Sequence, residues 1–175
     1  MKSYLKTFIE NKNKNKKLFT PGPASLLYEN IYPIEPCFGR GDAQYEKIEN
    51  IVLNKLKNMS KHKHITRMQG SASFALEVMI NNFIYGKILI LKTGIYSDRL
   101  LSMSNASKVN FKKIKKIDYV DNENIDEISK KYDWIMGCPV ETSVGLKTPI
   151  VKLHKLKKRC KAKLALDATA SIGLE

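Results

Sequence analysis

Four short apolar segments, "KILILK" (87–92), "KKIDYV" (115–120), "DWIMGC" (133–138) and "AKLALD" (162–167), alternate with stretches of helical patterning. This alternation constrains the fold more than any other feature. Strands joined through helices pair in parallel by right-handed crossovers, and the helices then cover both faces of the sheet. The chain is therefore expected to be α/β, a three-layer αβα sandwich around a mainly parallel sheet. The intervening segments fit. "SDRLLSMSNAS" (97–107) starts a helix, "NIDEISKKY" (124–132) reads as a short one with Asn124 or a neighbour as cap, and "TPIVKLHKLKKRC" (148–160) is amphipathic with Pro149 in its first turn.

Upstream, "DAQYEKIENIVLNKLKNM" (42–59) places Tyr45, Ile48, Val52, Leu56 and Met59 at helical spacing, with Asp42 as N-cap. "HITRM" (64–68) reads as a further short strand, and "GSASFALEVMINNFIYG" (70–86) as a loop that becomes a helix ending near Gly86. Pro21, Gly22 and Pro23 in "LFTPGPA" (18–24) exclude helix and strand interior.

At 175 residues and 43% apolar, the chain suffices for one domain with a real core. Its longest apolar run, "ILIL" (88–91), is far below the roughly 18 residues of a membrane span. "MKSYLKTFIENKNKNKK" has no apolar signal-peptide centre, and residues 1–17 read as a basic N-terminal arm. Cys37, Cys138 and Cys160 are scattered and odd in number, as expected of reduced thiols in a cytoplasmic protein.

The net charge of +14 raises the question of nucleic acid. Nearly all the cations are lysines, gathered in "KNKNKK" (12–17), "KKIKK" (112–116) and "KLHKLKKRCKAK" (152–163), without the arginine forks and interleaved aromatics of a dedicated reader. Solvated faces and compositional bias are the better account.

Sites in parallel sheets gather at the carboxyl ends of the strands. Four loops there carry suggestive residues. In "RMQGSASFALE" (67–77), small residues and a helix start offer free N–H groups, and Ser71 and Ser73 add hydroxyls, as a phosphate cradle would. An ordinary capped helix start uses the same residues, and the residues alone leave both readings open. The loop is neither a Walker loop nor GxGxxG. Tyr96, in "KTGIYSDR" (92–99), is placed to stack on a ring or to cover the sheet edge. "GCPVETSVGLKTP" (137–149) offers Glu141, Thr142 and Ser143, and Asp167 ends the last strand.

In this order, "LFTPGPA", "QGSASFALE", "GIYSDR", "ETSVGLKTP" and "LALDATASIGL" resemble class V, fold-type I pyridoxal-phosphate aminotransferases over residues 18 to 175. The 2-aminoethylphosphonate–pyruvate branch is most similar, with the alanine– and serine–glyoxylate branches close behind. The resemblance implies that Ser71, Ala72 and Ser73 bind the cofactor phosphate and that Tyr96 stacks on the pyridine ring. It also implies that Thr142 bonds the ring hydroxyl oxygen, that Asp167 pairs with the protonated ring nitrogen, and that Gly22 lies near the substrate. Pro139 stands where related members often have a histidine, and Ala72 where glycine is usual.

By the same resemblance, residues 18–175 form the N-terminal part of the cofactor-binding large domain. The Schiff-base lysine and the arginine-bearing small domain lie beyond residue 175. The expectation is an N-terminal half that does not transaminate alone, from an enzyme moving an amino group from a small amine or amino acid to pyruvate or glyoxylate. The full-length enzyme is expected to be a homodimer with no membrane partner. A non-catalytic α/β remnant that binds partners or polyanions through its lysines is the alternative. Cysteine desulfurases, which share the fold, stack a histidine where Tyr96 stands. "HKH" (62–64) lacks a third ligand cluster for a metal. Cys138 has no histidine nearby in sequence and reads as a buried structural thiol.

Overall fold

The structure, a computed structural model, describes residues 2–13, 38–39 and 41–173. The PGP loop with Gly22 lies outside them, as does Cys37. The chain divides into two compact units, Met1–Ile65 and Thr66–Glu175.

The first unit contains α1 (Lys2–Asn13) and α2 (Ala43–Ser60). Asp42 caps α2 as expected, its Oδ1 accepting from the amides of Gln44 at 2.8 Å and Tyr45 at 3.3 Å. These are two of the four amides that a helix start leaves without an internal partner.

The second unit begins with α3 (Ala72–Phe83), β1 (Gly86–Lys92), α4 (Ile95–Phe111) and β2 (Ile114–Asp121). A 3-10 turn (Asn122–Asp126), β3 (Trp134–Gly137), β4 (Val140–Glu141), β5 (Leu146–Lys147), α5 (Ile150–Cys160) and β6 (Lys163–Leu166) follow. β2, β1, β3 and β6 form one sheet in that order, and every pairing is parallel. Ile90 sits opposite Tyr119 on one side and Met136 on the other, and Met136 opposite Ala165.

Alternation along β1 sorts the core into two layers. Ile88 and Ile90 pack with Ile80, Ile84, Leu100 and Ile114 on the α3–α4 side. Leu89 and Leu91 pack with Ile125, Ile128, Leu153 and Leu156 on the α5 side. A strand buried on both faces has no polar side to offer, which is why "ILIL" reads as a continuous apolar run. The three-layer α/β expectation is met.

Two expected elements come out differently. Residues 64–68 are irregular backbone that pairs with no strand among the described residues, and four of the five are exposed. Short apolar–polar alternation makes a strand only when a neighbour takes its backbone groups. Residues 124–132 give only the 3-10 turn. Arg159 explains the early stop, because its guanidinium donates to the carbonyls of Ile125 and Ile128, the latter at 2.6 Å. Those are the oxygens a continuing α-helix would use for its own amides. The β4–β5 hairpin is a further element that the sequence reading did not anticipate.

The amino ends of three strands meet at Asp133. Its carboxylate accepts from the Lys87 amide at 2.7 Å, its own amide donates to the Lys87 carbonyl at 2.7 Å, and its carbonyl accepts from the Lys163 amide at 2.9 Å. Gly86 runs against this carboxylate with φ +73°, and a Cβ there would lie 2.1 Å from Asp133 Oδ2. Left-handed backbone and a blocked position together forbid a side chain. Gly86→Ala is expected to cost at least about 2 kcal/mol of stability. Urea unfolding is the check; an unshifted midpoint would show that Asp133 does not hold the strand ends in this way.

Candidate functional site

The connections out of the central pair run in opposite directions. From β1 the chain crosses through α4 to β2, on one side; from β3 it crosses through α5 to β6, on the other. The chain therefore reverses direction at the carboxyl ends of β1 and β3, the place where open α/β sheets usually form their ligand crevice.

Residues 93–96 form the first wall. Ser97, fully buried, accepts from the amides of Thr93 at 2.9 Å and Gly94 at 3.0 Å, and its hydroxyl lies 2.6 Å from the Gly94 carbonyl. This turns the chain sharply into α4. Tyr119 of the neighbouring strand lies 3.0 Å from Ser97 Oγ and donates to Asp98 at 2.6 Å. Burial, together with the hydrogen bond to Asp98, pushes the Tyr119 phenol up to about 12.

The β4–β5 hairpin forms the second wall. Its base is closed by the Thr148 amide donating to the Pro139 carbonyl at 2.7 Å. Glu141 is completely buried where the two walls meet. Its Oε2 accepts from Thr93 Oγ1 at 3.1 Å; its Oε1 accepts from the Tyr96 amide at 3.4 Å and from the Ser143 hydroxyl. Ser143 Oγ in turn accepts from the Ile95 amide at 3.2 Å. Contact here is so close that a Cβ on Gly94 would lie 2.7 Å from Ser143 Oγ and 2.8 Å from Glu141 Cγ. Only glycine fits.

The cradle residues stand at the start of α3. Ser71 is its N-cap, with Oγ accepting from the Phe74 amide at 3.3 Å, so the capping reading of that hydroxyl holds. The amides of Ala72 and Ser73, at the first positions of the helix, take no partner among the described residues. Arg99 joins this loop to the first wall: it donates to Ser73 Oγ at 2.9 Å, and its guanidinium sits 5.5 Å from the centre of the half-buried Tyr96 ring.

Asp167 lies 8% exposed just past the end of β6. Its amide extends the ladder to the Gly137 carbonyl at 3.0 Å. Its Oδ1 accepts from the Thr169 amide at 3.1 Å and hydroxyl at 2.6 Å, while Oδ2 accepts from none of the described residues. Cys138 sits within the field of both carboxylates. Burial first, then the charges of Asp167 and Glu141, push its thiol up to about 12.

Ser73, Arg99, Tyr96 and Glu141 are thus linked step by step by direct contacts, while Cys138 and Asp167 stand at the ends of the neighbouring strands β3 and β6. Thr142 is half-buried in the turn of the hairpin, directly after Glu141. The residues the sequence reading passed over are Glu141 as an anchor and Arg99 as a bridge. Arg99 carried a weak signal, standing one helical turn after Tyr96. Glu141 carried another, as the lone acid in a loop of small residues.

No family model matches the chain. It is similar to the bifunctional phosphonoacetaldehyde hydrolase/aminoethylphosphonate transaminase of Clostridioides difficile, 28% identical over 168 residues, which are 89% of this chain and 26% of that protein. It is 27% identical over 170 residues to the 2-aminoethylphosphonate–pyruvate transaminase of Bacillus mycoides, covering 89% of this chain and 46% of the relative. Among solved structures, a ureidoglycine–glyoxylate aminotransferase from Bacillus subtilis superposes with a TM-score of 0.72 at 20% identity, over 88% of this chain and 42% of that one. An alanine–glyoxylate aminotransferase from Nostoc sp. gives 0.70 at 15% identity, over 94% and 48%. The chain spans less than half the length of each of these proteins. The resemblance and the α/β fold read from the sequence are borne out: the sheet and its helices superpose on those of solved aminotransferases.

The raised thiol of Cys138 has a direct consequence, since only the thiolate reacts. Native protein treated with iodoacetamide at pH 8 is expected to remain unmodified at Cys138, whereas urea-unfolded protein is alkylated there. Peptide mapping by mass spectrometry checks this, and rapid native labelling of Cys138 would contradict the burial described.

Proposed function

We propose that residues 18–175 form the N-terminal part of a pyridoxal-phosphate-binding large domain, and that the whole protein is an aminotransferase. The observation that carries the reading is the polarity of the crevice. At one end stand the unpartnered amides of α3 and the Arg99 guanidinium; at the other stands Asp167, buried with Oδ2 open. A ligand with an anionic group at one end and a protonated ring nitrogen at the other fits that arrangement. Pyridoxal phosphate is such a ligand, and these residues suit it.

The chemistry it supplies when bound is an electron-accepting ring, which takes up the electron pair released as the substrate Cα–H bond breaks. The chain's own residues would serve that chemistry in separate ways. Ser71, Ala72 and Ser73 hold the phosphate through helix-start amides and hydroxyls, with the helix dipole behind them. Tyr96 offers its ring face for stacking, and Thr142 donates to the ring hydroxyl oxygen. Asp167 keeps a proton on the ring nitrogen, since a carboxylate in a poorly solvated place strongly favours a neighbouring cation. Thr169 fixes the direction of that carboxylate by binding Oδ1 twice, which leaves Oδ2 for the ring.

The relatives' names support a 2-aminoethylphosphonate-like amine as donor and pyruvate as acceptor. The glyoxylate branches give the same site with a different acceptor. A homodimer is proposed for the whole enzyme.

The test uses pyridoxamine 5'-phosphate, which lacks the aldehyde and so forms no imines with the many lysines. Calorimetric titration of the chain is expected to show saturable binding, at least roughly tenfold tighter than that of unphosphorylated pyridoxamine. Replacing Ser71 and Ser73 together by valine should erase that preference. Tyr96→Ala should lose about 1 kcal/mol of binding and Tyr96→Phe almost none, because the ring face does the work. Asp167→Asn should weaken binding of the protonated ring selectively, flattening the rise in affinity as pH falls through the ring-nitrogen pKa. Equal binding of the two amines, untouched by these substitutions, would favour the lysine-rich, non-catalytic remnant instead.

A further inference from the structure

Glu141 is completely buried, and no lysine, arginine or histidine among the described residues pairs with it. Its three hydrogen bonds come from neutral donors: the Thr93 hydroxyl, the Tyr96 amide and the Ser143 hydroxyl. Burying an acid on neutral donors alone is costly, and such a group persists where its geometry is needed. Two of the donors come from the wall after β1, Thr93 in its turn and Tyr96 in the first turn of α4, and the third, Ser143, from the hairpin turn after β3. Ser143 closes a second link by accepting from the Ile95 amide, so the two loops are joined at two adjacent points.

We propose that Glu141 is the positioning residue of this crevice. It fixes the Tyr96 backbone on one wall and the Thr142–Ser143 turn on the other, so the ring of Tyr96 and Thr142 keep a constant separation. A carboxylate suits this role because both oxygens only accept. In a glutamine one of the two positions becomes an NH2 donor: on the Oε1 side it would face the Tyr96 amide, which cannot accept, and on the Oε2 side it would force the Thr93 hydroxyl to turn from donor to acceptor. Gly94 belongs to the same device, since any side chain would push the loops apart at their contact. This proposal rests on the cofactor reading for its functional meaning but not for its structural content.

The experiment has two arms on the intact chain. In the first, hydrogen exchange by mass spectrometry compares wild type with Glu141→Gln and with the milder Thr93→Val and Ser143→Ala. Exchange is expected to rise in residues 93–97 and 141–147 together, while β1 and β2 stay protected. Loosening of one loop without the other, or of the whole sheet, would overturn the proposal. In the second arm, pyridoxamine 5'-phosphate binding is measured for Glu141→Gln alone and with Tyr96→Ala. Glu141→Gln is expected to weaken binding on the order of tenfold, and to have much less effect once the Tyr96 ring is gone. An equal loss in both backgrounds would mean that Glu141 acts on stability alone and would overturn the positioning role. Should wild type not bind the probe, the cofactor reading fails, and the exchange arm still decides whether Glu141 ties the loops.

Discussion

The structure of the second unit depends on β1 being paired on both edges and buried on both faces. Ile88, Leu89, Ile90 and Leu91 are at most 1% exposed, so each direction out of that strand is occupied by something the strand itself dictates. Its backbone groups require β2 and β3, and its side chains require helices above and below. Because the helical connections return to opposite sides of it, the strand ends also become the place where the chain divides. The core and the crevice are consequences of one buried strand.

That crevice is built from fixed charges and dipoles more than from apolar walls. Helix-start amides and Arg99 stand at the Ser73 end, and the carboxylates of Asp167 and Glu141 lie along the strand ends. The two acids are satisfied in different ways. Glu141 spends both oxygens on protein donors and so behaves as structure. Asp167 spends one on Thr169 and keeps the other without a partner among the described residues. The Cys138 thiol at the end of β3 is pushed up by its burial first and by the charges of these two acids after it.

Several features were legible in the sequence because they depend on local periodicity. The alternation in residues 86–167 was enough for a parallel α/β sheet, and Asp42 and Pro149 were readable at helix starts. "HITRM" misled because a short alternating run looks the same whether or not a ladder awaits it. "NIDEISKKY" misled because its carbonyls are taken by Arg159, about thirty residues later in the chain. The candidate site divides along the same line. Ser71, Ser73, Tyr96, Thr142 and Asp167 stand out as small, hydroxyl, aromatic or acidic residues at strand and helix ends.

What the sequence determined by itself was the class of fold and the chemistry available at the strand ends, since apolar period and residue type are local properties. Tertiary structure alone decided which of those residues meet. Glu141 and Tyr96 are 45 positions apart, and Ser73 and Arg99 are 26. Their contacts follow from strand order, which no local pattern encodes: β1 and β3 become neighbours only because β2 lies on the far side of β1. The divergence of the chain at that point brings a buried acid, an aromatic ring and a helix start to one edge.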